Sequence, residues 1–593
     1  MRDYVLLTWR AADGDASARA QRAAAELTAS QWTLAHDRPG LALWLPNRRP
    51  PKVHLSADGR LVLIGDYFGR PPQAAAQPLA AARHLIDGGW GGYIAVFTSP
   101  EQPAQAILRD PSGAMDALTW RAEGLRVIAS DYGSALRAVA PVQLSVDWNL
   151  LGASLVERLH LAGQTPLIGV TAVTPGAFRS LDAAGGERLL WRPSVFVRTG
   201  ADAPEHAPQT LASAIDGVVT ALASAEGPAI AEISGGLDSS IVAAALQRTN
   251  PAKIKAWINY YVEDDGGDER AYARAAAAHL DLSLTEVPKP QAGVDLAGLA
   301  QAGASARPSF RLVDADYDRD LATRCAQVGA DQIFTGLGGD SVFMQGGSPR
   351  LAGDLFRGQP PWRWRLSTLH TVAANAKTSI WRVIRLGLLD AARVRQARPA
   401  PPAWLGERAL AAHRAQAAPL WLDDAHRCSF TKRSQVEGLA RTLLVTGRSA
   451  RSDHATVVNP LLSQPVMEAG LATPSLILTA NGDDRAFARA AFADRLAPKV
   501  RDRRSKGDLS RHYGLALAQS APQLRELLLD GALAKAGLLR LDAVEAMLAP
   551  EHLIWSDPYR DIIAMVVLEL WARAWIERLA GRGGSAERRA KKA

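Results

Sequence analysis

Hydrophobic and polar positions change their spacing once along this chain, near residue 208. Before it, short apolar runs recur at 61–69, 91–99, 105–110 and 125–131, several with polar residues interleaved. Such runs predict β-strands. Asp58-Gly59 and Glu123-Gly124 supply the residues that tight hairpin turns need between them. Residues 1–197 therefore predict a mainly β, layered domain. The stretch 198–208 is rich in Ala, Pro and Gly without periodicity, and predicts a linker.

After residue 208 the pattern alternates. Helical spacing is expected over 209–224, 238–248, 268–280 and 314–328. Short apolar strands are expected over 229–234, 254–261, 282–287 and 331–336. Strand–helix alternation predicts an α/β domain with a parallel sheet and right-handed crossovers. Ligands of such sheets bind beyond the C-terminal ends of the strands. From Ser348 onward the chain reads as helical. Its small, charged end, 581–593, predicts a disordered tail.

Composition narrows the class. In 593 residues, 48% apolar and 22% charged, a multi-domain globular enzyme is expected. No apolar run reaches the roughly 20 residues that span a bilayer, and the first residues lack a secretory signal. A cytosolic protein with no membrane partner is expected. Two cysteines, Cys325 and Cys428, exclude a disulfide framework and a four-cysteine zinc site. The net charge of +8 is concentrated: 351–400 holds nine Lys or Arg against two Asp, interleaved with Trp362, Trp364 and Trp381. That insert is either a surface for an acidic partner or a solvated helical face over buried tryptophans. Nucleic acid is not the expected partner.

The densest chemistry lies in Ser234-Gly235-Gly236-Leu237-Asp238-Ser239-Ser240, between the 229–234 strand and the following helix. Two glycines allow a tight turn that brings backbone N–H groups against an anion. The helix N-terminus adds a positive dipole end. Three serines add hydroxyl donors. Asp238 would repel a phosphate but suits a magnesium ion bridging phosphates. No G-K-[ST] follows, so this is not a Walker loop.

The heptad resembles the pyrophosphate loop of the ATP-pyrophosphatase superfamily, whose members split ATP between its α and β phosphates and form acyl adenylates. Thr335-Gly336-Leu337-Gly338-Gly339-Asp340 resembles the second motif of the asparagine synthetase group. Arg503-Arg504-Ser505-Lys506-Gly507 resembles a third. Weaker likenesses lie at Asp268-Glu269 with Tyr272-Ala273, at Asn459-Pro460-Leu461-Leu462 and at Leu568-Glu569-Leu570-Trp571. Arg109-Asp110-Pro111-Ser112-Gly113, Ala129-Ser130-Asp131 and Pro175-Gly176 resemble the group's glutaminase domain. The resemblance implies an α+β, Ntn-type glutaminase-like domain over 1–197 and an ATP-pyrophosphatase domain over 209–580. It also implies ATP with Mg²⁺ as cofactors. Magnesium would be held by Asp238 and Asp340. The nucleotide would be held by Ser234 to Ser240, Ile258, Gly336 and Gly338. Lys506 would sit at the reacting centre, where an ammonium stabilises developing negative charge.

Two departures from the pattern redirect the reading. Arg2 stands where glutamine-dependent members carry their cysteine nucleophile, so no ammonia release is expected from the first domain. Leu337 stands where asparagine synthetases carry an acidic residue and β-lactam synthetases a tyrosine, and has no ionisable group. The candidate bases or orienting groups are Glu437, His454 and the substrate itself. What remains is similar to synthetases that join an amine and a carboxylate of one molecule, above all the lasso-peptide macrolactam synthetases. This resemblance implies a precursor peptide as substrate, and a leader-peptide protease or peptide-recognition protein as partner. The alternatives are a β-lactam-type synthetase, an ammonia-dependent asparagine synthetase and a catalytically dead binding scaffold.

Overall fold

The computed structural model describes residues 2–99, 104–182, 185–197, 207–225, 227–264, 266–303, 305–358, 365–394, 400–419, 421–504, 507–555 and 559–590. The first part is built on two six-stranded sheets. One contains Val5–Thr8, Trp32–Arg38, Leu41–Pro46, Leu118–Ala122, Leu125–Ala129 and Thr171–Ala172. The other contains Val53–Leu55, Leu61–Gly69, Gly89–Phe97, Ala106–Arg109, Ala177–Ser180 and Glu187–Leu189. Every pairing in both is antiparallel. Both expected hairpins form: Gly59 at φ 65° joins two paired strands, and Gly124 at φ 85° joins two more.

The central strands of the first sheet are buried on both faces, while its edge strand Trp32–Arg38 is largely exposed. Tyr4, Leu6, Leu41 and Leu43 share a core with Leu61, Leu63 and Ile94 of the second sheet. Val5, Leu7, Ala42 and Val127 share another with the helix Gly14–Ala29. A second helix, Pro78–Gly88, packs on Gly89–Phe97. These helices correct the expectation of a mainly β domain. Asp13 caps the first one, accepting from the Ala16 N–H at 2.9 Å, and its buried face is Ala16, Ala20, Ala23 and Leu27. Small alanines make a weak hydrophobic stripe, which hid the helical period in the sequence.

The second part has the expected parallel sheet, with an unexpected fifth strand. Its spatial order is Leu284–Pro288, Ile254–Tyr261, Ala229–Glu232, Gln332–Phe334, Thr456–Val458. All pairs are parallel. Strand order reverses direction beside Ala229–Glu232, and the crevice there is where such folds place ligands. The edge strand Thr456–Val458 has three residues, too few to register as a period.

Of the expected linker, 198–206 lies outside the described residues, and the next residues already open the helix Ala207–Ala223. Of the expected tail, 591–593 lies outside the described residues and 581–590 within them. There the chain continues the closing helix Tyr559–Ala590, in keeping with its Ala, Glu and Arg content. Glu569 pins this helix by accepting the N–H groups of Ala532 and Leu533 at 2.7 and 2.8 Å. The insert at 351–400 forms the helices Leu366–Asn375 and Ile380–Ala391 over a small core of its own, including Leu355, Leu369, Val372 and Val383. Trp381 is 76% exposed on it; Trp362 and Trp364 lie outside the described residues. Among the described residues no helix is long and apolar enough to cross a membrane.

Candidate active site

The glycine loop sits at the switch point of the parallel sheet. Gly235 takes φ 82°, and a Cβ there would lie 2.7 Å from the Ala273 nitrogen. Only glycine allows both the turn and this approach. The serines brace the loop. The Ser234 N–H donates to Ser239 Oγ at 3.2 Å, and Ser240 Oγ donates to the Gly236 carbonyl at 2.9 Å. Gly236 is the N-cap of the helix Leu237–Thr249 and gives it no side-chain cap. The N-terminus of that helix faces a cavity of about 390 Å³, lined by Ser234, Gly236, Leu237, Asp238 and Ser239. Free N–H groups at a helix N-terminus are the kind of donors that suit an anion.

The second motif is packed into the first. A Cβ on Gly336 would stand 2.5 Å from the Ser239 nitrogen, and one on Gly339 would collide with the Asp238 carboxyl group. Gly338, at φ 100°, lies against Leu462. Thr335 Oγ1 donates to Asn459 Oδ1 at 2.7 Å and accepts the Leu337 N–H at 3.1 Å. The weaker motif at 459–462 therefore supports the turn that aims Asp340.

Asp238 and Asp340 line the same cavity and converge on Arg485. Its Nη1 donates to Asp238 Oδ2 at 3.1 Å and to Asp340 Oδ1 at 2.7 Å. Burial works against the guanidinium charge, but Asp238, Asp340 and Asp484 together raise its pKa. Two carboxylate oxygens thus already meet on one cation. Hard oxygen donors of this kind suit magnesium, with phosphate oxygens and water completing the shell.

Arg503 and Gly507 line the same cavity. Arg503 stacks over the Tyr272 ring at 3.9 Å and pairs with Glu269 at 2.6 Å. Glu269 also accepts the Gly507 N–H at 2.8 Å. Lys506 itself lies outside the described residues. Ile258 and Leu337 line the cavity. Glu437 does not; it pairs with Arg433 at 2.8 Å one helical turn away. His454 does not either, its Nδ1 lying 3.1 Å from the Ala450 carbonyl.

Sequence reasoning missed a buried charged cluster at the sheet end of the cavity. Glu232, Lys289, Arg311, Asp314 and Tyr317 line it. Fully buried Arg451 donates to Glu232 Oε2 at 3.2 Å and to Asp318 Oδ1 at 2.7 Å. Burial pushes the Glu232 carboxyl up to about 7, against the pull of Arg311 and Lys289. Burial likewise pushes Asp318 up to about 6. Asp314 goes the other way: against its burial, Lys289 and Arg311 hold it below the usual carboxylate range. The signal was visible as a glutamate inside an otherwise apolar strand.

A narrower cavity of about 120 Å³ connects this region with the first domain. Arg2, Asp66, Trp90 and Ser112 line one end, and Leu337, Arg311 and Arg451 the other. Arg2 pairs with Asp66.

A parallel sheet whose switch point opens between a glycine loop at a helix N-terminus and two converging carboxylates is an α/β arrangement suited to a phosphorylated ligand. The chain belongs to the asparagine synthase family, whose profile matches residues 210–573. Its general class is that of the ATP-dependent amide ligases. No curated protein matches the sequence. Two solved structures are similar at 10% identity. One is an allosteric regulatory enzyme of purine biosynthesis, with TM-score 0.16 over 56% of this chain and 83% of its own. The other is the glutamine phosphoribosylpyrophosphate amidotransferase from B. subtilis complexed with ADP and GMP, with TM-score 0.18 over 67% of this chain and 94% of its own. TM-scores this low carry no inference about this chain.

Proposed function

We propose that the protein adenylates an Asp or Glu side chain of a precursor peptide and joins it to that peptide's N-terminal amine. The products are a macrolactam, AMP and pyrophosphate. One observation carries the choice of substrate. The cavity at the loop adjoins two more, of about 280 and 550 Å³, and Lys289 lines all three. In this reading the three adjoining cavities make up one trough, from Ser234 to Arg511. A small β-amino acid needs the first cavity alone; a folded peptide segment needs the trough.

The residues have separable tasks in this reading. The loop N–H groups and serines hold the leaving pyrophosphate. Asp238 and Asp340 would hold magnesium, which neutralises phosphate charge when bound. Lys506 stabilises charge on the reacting carboxyl. Holding amine and adenylate together replaces an external nucleophile, since intramolecular contact can supply effective molarities of roughly 10⁵–10⁸ M. Arg2 at the position of the amide-cleaving nucleophile fits a nucleophile that arrives with the substrate. Exposed Trp381 beside Arg382 offers the peptide, or the protease that frees its amine, a place to dock.

The test is a peptide with a free N-terminus and an internal Asp or Glu, incubated with ATP and Mg²⁺. The expected product has lost one water, with the crosslink placed by fragmentation and AMP as the nucleotide product. A linear peptide beside a cyclised β-amino acid would select the β-lactam reading. Asparagine from ammonia and aspartate would reject both cyclisations.

A further inference from the structure

We propose that Glu232 is the catalytic base that takes the proton from the incoming amine, and that the charged cluster around it is the amine's binding site. This rests on the amide-forming reading above and adds the residue that makes the nucleophile.

The argument begins with the carboxylates that line the loop cavity. Among the described residues they are Glu232, Asp238, Glu269, Asp314 and Asp340. Asp238 and Asp340 are engaged by Arg485. Glu269 is engaged by Arg503 and the Gly507 N–H. Asp314 accepts from Lys289 and from the Tyr513 hydroxyl, each at 3.0 Å. Glu232 differs from Glu269, Asp314 and Asp340, and from Asp238 in having no proposed magnesium role to account for a buried oxygen. Its Oε2 accepts from Arg451, while its Oε1 is buried with no hydrogen-bond partner among the described residues. Leaving such an atom unsatisfied is unfavourable. A substrate N–H is the donor it lacks.

Its place in the fold agrees. Glu232 ends the central strand Ala229–Glu232, two residues before the pyrophosphate loop, so it flanks the point where an adenylate would form. A charged side chain has no packing reason to be there. Its neighbours let it change charge. Arg451 also holds Asp318, so protonating Glu232 does not strand a buried guanidinium. The other ionisable groups acting here are Arg311, Lys289, Asp314, Asp318, Tyr260 and Cys325. With burial uppermost they set Glu232 near 7, matched to a proton transfer at neutral pH.

The step balances as follows. The substrate ammonium gives one proton to Glu232. The freed nitrogen lone pair forms the C–N bond at the acyl carbon. The bond from that carbon to the AMP oxygen breaks, and its electron pair leaves with AMP. The second nitrogen proton is lost to water through the open trough.

Glu232→Gln in the full-length protein tests this with three readouts: ATP–pyrophosphate exchange, peptide amide formation, and capture of the adenylate by hydroxylamine. Hydroxylamine is neutral at pH 7 and needs no base. Exchange and hydroxamate formation are expected to fall far less than amide formation. Amide formation is expected to fall about 10²–10⁴-fold, and its acid limb near pH 7 to disappear. Glu232→Asp, which keeps the carboxylate, should recover part of the amide rate with exchange intact; this arm carries the test if the glutamine variant does not fold. Equal losses of hydroxamate and amide would make Glu232 structural and overturn the proposal. An unchanged amide rate would overturn it as well. Absence of exchange in the parent protein with any peptide would reject the amide-forming reading itself.

Discussion

Asp238 and Asp340, which are 102 positions apart in sequence, meet on a single nitrogen of Arg485, at 3.1 and 2.7 Å. A guanidinium and a divalent cation therefore compete for the same pair of oxygens. Arg485→Gln should raise the affinity for Mn²⁺ without nucleotide by at least about tenfold, as expected when a neighbouring positive charge is removed from a metal site. Calorimetry or the Mn²⁺ resonance signal reads this directly. Unchanged affinity would show that the arginine does not occupy the cation position. Asp238→Asn and Asp340→Asn should each abolish ATP turnover with the fold retained.

The two glycine motifs are in contact, and a single methyl group should separate them. Gly339→Ala places its Cβ against the Asp238 carboxyl group, and Gly336→Ala places one 2.5 Å from the Ser239 nitrogen. Overpacking of this kind costs about 1–3 kcal/mol. Both variants should lose ATP turnover by more than their melting temperatures suggest, because the displaced atoms are the site itself. Normal turnover in Gly339→Ala would mean that the carboxylate can move without consequence.

The first domain should release no glutamate from glutamine. Arg2 has no nucleophilic atom, and its side chain is committed to Asp66, which is 10% exposed. Arg2→Ala should destabilise the protein by about 1–3 kcal/mol, leaving Asp66 with Lys52 at 3.5 Å. A glutaminase assay and urea unfolding check the two parts separately.

Asp110 predicts a pH dependence of stability. It is fully buried, and burial raises its carboxyl to about 6 in the folded protein, despite donors from Ser112 and Tyr93. Unfolded, it titrates near 3.9. Between these values the folded state binds the extra proton, so the contribution to stability is greatest in acid and is lost as pH rises through 6. From pH 5 to pH 7.5 that loss should be about 1 kcal/mol. Urea unfolding of parent and Asp110→Asn at both pH values isolates it, since the variant should lack this component.

Legibility in the sequence followed how local the cause was. The loop at 234–240 could be read because its glycines, serines and Asp238 act within one turn. Its supports at Glu269 and Asn459 could be noticed but not given roles, because those roles are contacts with Arg503 and Thr335 across long separations. Arg485 was indistinguishable from other arginines of a basic chain until folding placed it between two carboxylates. Glu232 was in plain view within an apolar run and was read as part of a strand, since period alone does not say which strand end opens into a cavity. Glu437 and His454 were named as bases from residue type, and geometry places neither on the cavity.

One hydrophobic cluster runs without a break from Leu63 and Ile94 of the first domain to Ile241 and Phe334 of the second. Gln464 donates to the Ile86 carbonyl at 3.0 Å and Trp191 to Glu468 at 2.8 Å across the same boundary. The two halves are therefore joined as one folding unit, whatever either half catalyses. Discarding the first half would bare the second one's interior. The first half is thus a fixed wall, available for shaping whatever is bound on its other side.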